Sequence, residues 1–85
     1  MGYKKIKLEF RHEAQLEQTM IYLCGMIRQS AIRRCWTHKE LALLLGTSQG
    51  CVSRVIRAKT DDLTINQLFR YLVILEPDFK ILISI

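Results

Sequence analysis

Apolar positions change their spacing several times along this chain, and each change marks an element. From Tyr3 to Phe10 the run YKKIKLEF alternates, with Ile6, Leu8 and Phe10 on one side and Lys5, Lys7 and Glu9 on the other. Period two predicts a strand with one buried face. From His12 to Arg34 the spacing becomes helical, with Leu16, Met20, Leu23, Ile27 and Ala31 forming a buried stripe. Glu13 and Glu17 near its start, and Arg28, Arg33 and Arg34 near its end, complement the helix dipole. Gly25 inside this helix is expected to mark close packing.

Two short helices follow. Thr37 is an N-cap with Glu40 three residues on, the spacing of a capping box. Leu41, Ala42, Leu44 and Leu45 give the first an apolar face, and Gly46 stops it. Ser48 caps the second, in which Val52, Val55 and Ile56 are expected to face inward, and Ala58 to Asp62 reads as a polar link. Thr64 opens a last helix reaching Leu75, with Leu68, Leu72 and Leu75 inward, and Pro77 prevents its simple continuation. From Phe79 to Ile85 the run FKILISI alternates again.

The expectation is therefore one mainly α domain over residues 1–85. Its order is strand 3–10, long first helix 12–34, helix-turn-helix 37–57, last helix 64–75 and strand 79–85. Each terminal strand needs a partner, either within the chain or across a two-fold axis. Apolar edges of this kind favour another chain, so a homodimer is expected.

The two short helices carry the functional signal. A helix-turn-helix needs a small residue where its helices cross, a residue tolerant of positive φ at the turn, and a branched apolar seal from the second helix. Ala42, Gly46 and Val52 supply these, and Leu41, Leu45 and Val55 complete the small core. Charge sharpens the picture. The chain carries +5, yet Arg28 to Lys59 alone holds seven basic residues against one acid, a local +6. A positive surface on this motif suits a phosphate backbone.

The residues THKELALLLGTSQGCVSRVIRAKT, with the later LTINQLFRYLVIL, resemble the Cro/repressor (XRE-type) helix-turn-helix family. The long first helix and closing strand resemble its subgroup of HigA-type antitoxins and small phage or mobile-element regulators. The resemblance implies a lambda-repressor-like bundle of four helices with short terminal strands. It also implies a cytoplasmic transcriptional regulator that binds double-stranded DNA, a repressor acting as a dimer on a palindromic operator. The alternative it carries is an antitoxin that binds a cognate toxin protein and represses its own operon.

Family members place base contacts on the exposed face of the second helix, which here presents Gln49, Gly50, Ser53 and Arg54. Glutamine can pair bidentately with adenine and arginine with guanine, so Gln49 and Arg54 are the leading readers. His38, Lys39, Thr47, Ser48, Arg57, Lys59, Arg33 and Arg34 are the expected phosphate contacts. His38 departs from the family's usual glutamine, and Gly50 removes a side chain from a frequent reading position.

Other chemistries find little support. Cys24, Cys35 and Cys51 have neither CxxC nor Cys/His ligand spacing, so no metal or cofactor is expected and reduced thiols are the reading. Cys51 on the second helix leaves a redox role open. Trp36 is expected to pack as a staple before the cap. No nucleophile–base pair or phosphate-cradling loop suggests an enzyme, and no apolar run suits a membrane span.

Overall fold

The computed structural model describes residues 5–9, 13–77 and 80–84, with side chains described over 15–77. It contains a domain of four helices: α1 (Glu13–Arg33), α2 (His38–Leu45), α3 (Gln49–Ile56) and α4 (Ile65–Leu75). A 3-10 turn at Thr60–Asp62 occupies the segment read as a polar link. The backbone also pairs β1 (Lys5–Glu9) with β2 (Lys80–Ser84) in a parallel ladder within the one chain, Ile6 opposite Ile81 and Leu8 opposite Ile83. The expected apolar face of these strands, with Tyr3, Phe10, Phe79 and Ile85, lies outside the described side chains.

One core joins the helices. Met20, Leu23, Ile27 and Ala31 of α1 are buried, as the stripe required, and Leu16 packs partly against them. Cys24 sits in the same layer, 1% exposed, and burial pushes its thiol pKa up to about 11. From α4 come Leu68, Leu72 and Leu75, joined by Tyr71, which is also buried. Leu63, between the 3-10 turn and α4, fills a further position that the polar-link reading had left out.

Two packing expectations need correction. Leu44 is 44% exposed, because α2 is one two-turn helix whose inner arc is filled by Leu41, Ala42 and Leu45. Gly25 marks no close packing among the described residues: a Cβ added there would meet none of their atoms outside its own stretch of helix within 4 Å.

Helix ends follow local chemistry. Thr37 caps α2 with a reciprocal box, its hydroxyl accepting from Glu40 N at 3.1 Å and the Glu40 carboxylate accepting from Thr37 N at 2.9 Å. Thr64 and Gln67 repeat the arrangement at α4. Helices α1, α2 and α3 all close with a left-handed residue, at Cys35 (φ 55°), Gly46 (φ 68°) and Ala58 (φ 55°). In each, the next amide reaches back five residues: Trp36 N to Ala31 O at 3.1 Å, Thr47 N to Ala42 O at 3.0 Å, and Lys59 N to Arg54 O at 2.8 Å. These are Schellman closures, which satisfy carbonyls the helix would leave unpaired.

Candidate nucleic-acid interface

Helix α3 divides its residues sharply. At 3.6 residues per turn, Gln49, Gly50, Ser53, Arg54 and Arg57 fall within an arc of about 140°. Gln49, Gly50, Arg54 and Arg57 are exposed and Ser53 is half-buried. The opposite arc is sealed by Cys51, Val52 and Val55, none more than 6% exposed. Val52 and Val55 belong to the same core cluster as Leu41, Ala42 and Leu45, so α2 serves as the platform that turns the polar arc outward.

The turn between the helices is fixed on both sides. Gly46 ends α2 in the left-handed region, and the Ser48 hydroxyl accepts from Cys51 N at 3.1 Å to start α3. One residue, Thr47, separates those caps, and its amide already bonds Ala42 O at 3.0 Å. Thr47 is half-buried, which sets it apart from the exposed Ser48.

The remaining expected anchors fall into two groups. His38 and Lys39 occupy the exposed first turn of α2, and Lys59 is exposed just past α3. Arg33 and Arg34, at the end of α1, instead converge on one carboxylate oxygen of Glu76, at 2.9 and 3.3 Å. The Ser30 hydroxyl, in a fully buried residue, donates to that same oxygen at 2.9 Å. Arg34 also lies over the Trp36 ring, 5.4 Å from its centroid, and Trp36 packs against the core. These two arginines therefore tie the end of α1 to the end of α4.

Arg54 has an acidic neighbour as well. Its Nε stands 3.8 Å from Asp62 Oδ2 of the 3-10 turn, with both side chains exposed. An exposed pair at that distance is weak, so the guanidinium remains free to exchange partners. Gly50 has room for a side chain: an added Cβ would meet only Ser48 Oγ, at 3.8 Å.

Cys51 lies on the inner arc, its sulfur 3.5 Å from the Tyr71 hydroxyl. Burial and the contact with Cys51 raise the Tyr71 pKa above the usual phenol value, in that order. Enclosure of Cys51 keeps oxidants from its sulfur, which argues against the redox role. Cys35 is the exposed thiol of the three.

Sequence pattern missed Tyr71, Ser30, Glu76 and Asp62. Tyr71 was legible, since it stands three residues from Leu68 and four from Leu75 on the buried stripe. Glu76 and Asp62 gave no periodic signal, because their partners lie on other elements. Among the described residues, no group of three or more histidine, cysteine, aspartate or glutamate side chains could hold a metal ion, and no helix is long and apolar enough to cross a membrane. Comparison of the chain with protein-family models, curated proteins and solved structures gives no match in any of the three.

Proposed function

We propose that this chain is a sequence-specific DNA-binding transcriptional regulator of lambda-repressor-like architecture, a repressor that binds a palindromic operator as a homodimer. One observation carries the reading. The outer arc of α3 gathers Gln49, Gly50, Ser53, Arg54 and Arg57 on a helix whose other arc is locked into the core. An exposed polar helix backed by a rigid platform fits the major groove, where Arg54 can address guanine and Gln49 adenine.

In this reading the exposed His38, Lys39, Ser48, Arg57 and Lys59 are the phosphate contacts, and the half-buried Thr47 contributes less. Arg33 and Arg34 would have to leave Glu76 to join them, so they contribute less than the others. The reading requires no catalysis and no cofactor. Because several phosphates are neutralised, affinity should fall steeply as salt rises.

Selection of bound sites from random duplex DNA tests the proposal. Enriched inverted repeats are expected, with half-sites about 34 Å apart. Arg54→Ala should weaken binding to the selected site by about 1–3 kcal/mol and relax preference at one base position. Recovery of no motif, or an Arg54→Ala variant with unchanged affinity and preference, would remove α3 from the reading role.

A further inference from the structure

The close of α3 brings Arg54 and Asp62 together. Lys59 N donates to Arg54 O at 2.8 Å, which turns the chain back just past the helix. The 3-10 turn then carries Asp61 and Asp62, closed by Leu63 N on Thr60 O at 3.1 Å and pinned by the buried Leu63 side chain. A carboxylate is thereby held on a fixed frame beside the outer arc of α3, with Oδ2 3.8 Å from Arg54 Nε. Its neighbour Asp61 is exposed and forms no ion pair among the described residues. Arg54 is also the sole basic residue within α3. A surface built only to attract phosphate gains nothing from an acid beside that residue, since the carboxylate repels the same backbone.

We infer that Asp62 is a positioning residue that fixes which base Arg54 selects, by holding the Nε side of the guanidinium and leaving its two Nη groups for guanine. The inference rests on the reading of α3 as the DNA-reading helix. In water the pair is weak, and an exposed guanidinium samples many directions, phosphate among them. Seating α3 in a groove removes water from around the pair, and the attraction between the two charges grows as the dielectric falls. The guanidinium is planar and rigid, so restraint at Nε sets the direction of the Nη edge. Two parallel N–H groups on that edge match O6 and N7 of guanine, whereas no other base offers such a pair of acceptors in the major groove. The same carboxylate repels phosphate, which makes the backbone a poorer alternative for Arg54.

Titration of the duplex enriched by site selection tests this. The base pair that Arg54 reads is the one where Arg54→Ala loses preference, and all four versions of that pair are titrated with each variant. Asp62→Asn should lower the preference for guanine there by about five-fold. It should also raise affinity for a random-sequence duplex roughly two-fold, because one negative charge is gone. Asp61→Asn removes the same charge from the same turn, so it should give the same rise and leave the preference for guanine unchanged. In an Arg54→Ala background, Asp62→Asn should not alter base preference at that pair. Helical circular dichroism should stay constant throughout, since the Asp62 side chain is 74% exposed. An Asp62→Asn protein that keeps its full preference for guanine overturns the inference. So does an Asp61→Asn protein that loses as much, or an effect of Asp62→Asn that persists without Arg54, because charge and not position would then be at work. An Arg54→Ala protein with unchanged base preference overturns the reading of α3 itself, and the inference falls with it.

Discussion

The turn at Gly46 and the turns at Cys35 and Ala58 have the same geometry and different chemistry. All three close a helix with a left-handed residue and an amide reaching back five positions. Only the turn inside the α2–α3 unit uses glycine. The flanking turns place a Cβ where L-residues are disfavoured, so the surrounding structure must hold them there. Around Cys35 that support is visible, with Trp36 packed on the core and Arg33 and Arg34 bound to Glu76. Around Ala58 the backbone bonds are joined by the weaker, exposed Arg54–Asp62 pair. The link that aligns the two short helices is free of torsional strain, and strain collects where each joins the rest of the domain.

The comparison breaks most readily at Gly46. Gly46→Val should destabilise the domain by on the order of 2 kcal/mol, because a β-branched residue is forced to positive φ. A new Cβ there meets no atom within 4 Å, so the loss is torsional and not a clash. Urea unfolding measures it. A loss under about 0.5 kcal/mol, within the range of an ordinary surface change, would mean the turn relaxes out of the left-handed region.

The reverse substitution sharpens the contrast. Ala58→Gly should stabilise by roughly 0.5–1 kcal/mol, since relief of the left-handed penalty exceeds the entropy glycine adds to the unfolded chain. Cys35→Gly should gain less, because the Cys35 turn is already braced by its neighbours. Equal gains at both positions in urea unfolding would show that this bracing carries no weight.

Legibility in the sequence follows the same division. Gly46, the Thr37–Glu40 box and the Ser48 cap were readable because each signal lies within a few residues of what it controls. The buried stripe of α1 and the limits of α4 were readable because periodicity reports burial. The closures at Cys35 and Ala58 were hidden, since neither residue advertises positive φ. Long-range partners were hidden too: Glu76 meets Ser30, Arg33 and Arg34 across more than forty positions of chain. On the candidate interface, sequence identified which residues share the outer arc of α3. It could not show that Arg54 has Asp62 beside it or that Thr47 is half-buried.

Gly50 separates stability from reading. Its site has ordinary backbone and an open Cβ position, so Gly50→Ala should stabilise α3 by about 0.5–1 kcal/mol. If the glycine exists to let the helix approach a groove, the same variant should lose DNA affinity while gaining stability. Opposite signs in urea unfolding and DNA titration would assign Gly50 to close approach. Equal DNA affinity would leave it as one contact fewer.

The smallest effect concerns how the braced start of α2 responds to pH. Hydrogen bonds from the Thr37 backbone first, and from its side chain second, hold the Glu40 carboxyl below its usual pKa. A carboxyl whose pKa is lower folded than unfolded contributes stability above the unfolded value, near 4.3, and loses it as pH falls through the folded value. Stability should therefore decline slightly on acidification below about pH 4.5, beyond what the other carboxylates impose. Glu40→Gln keeps an acceptor oxygen for the Thr37 amide and cannot titrate, so that increment should vanish while stability near neutral pH changes little. Urea midpoints of the two proteins at pH 7, 5 and 3 check this: a difference that stays constant with pH would show that Glu40 acts at Thr37 through shape and not through charge.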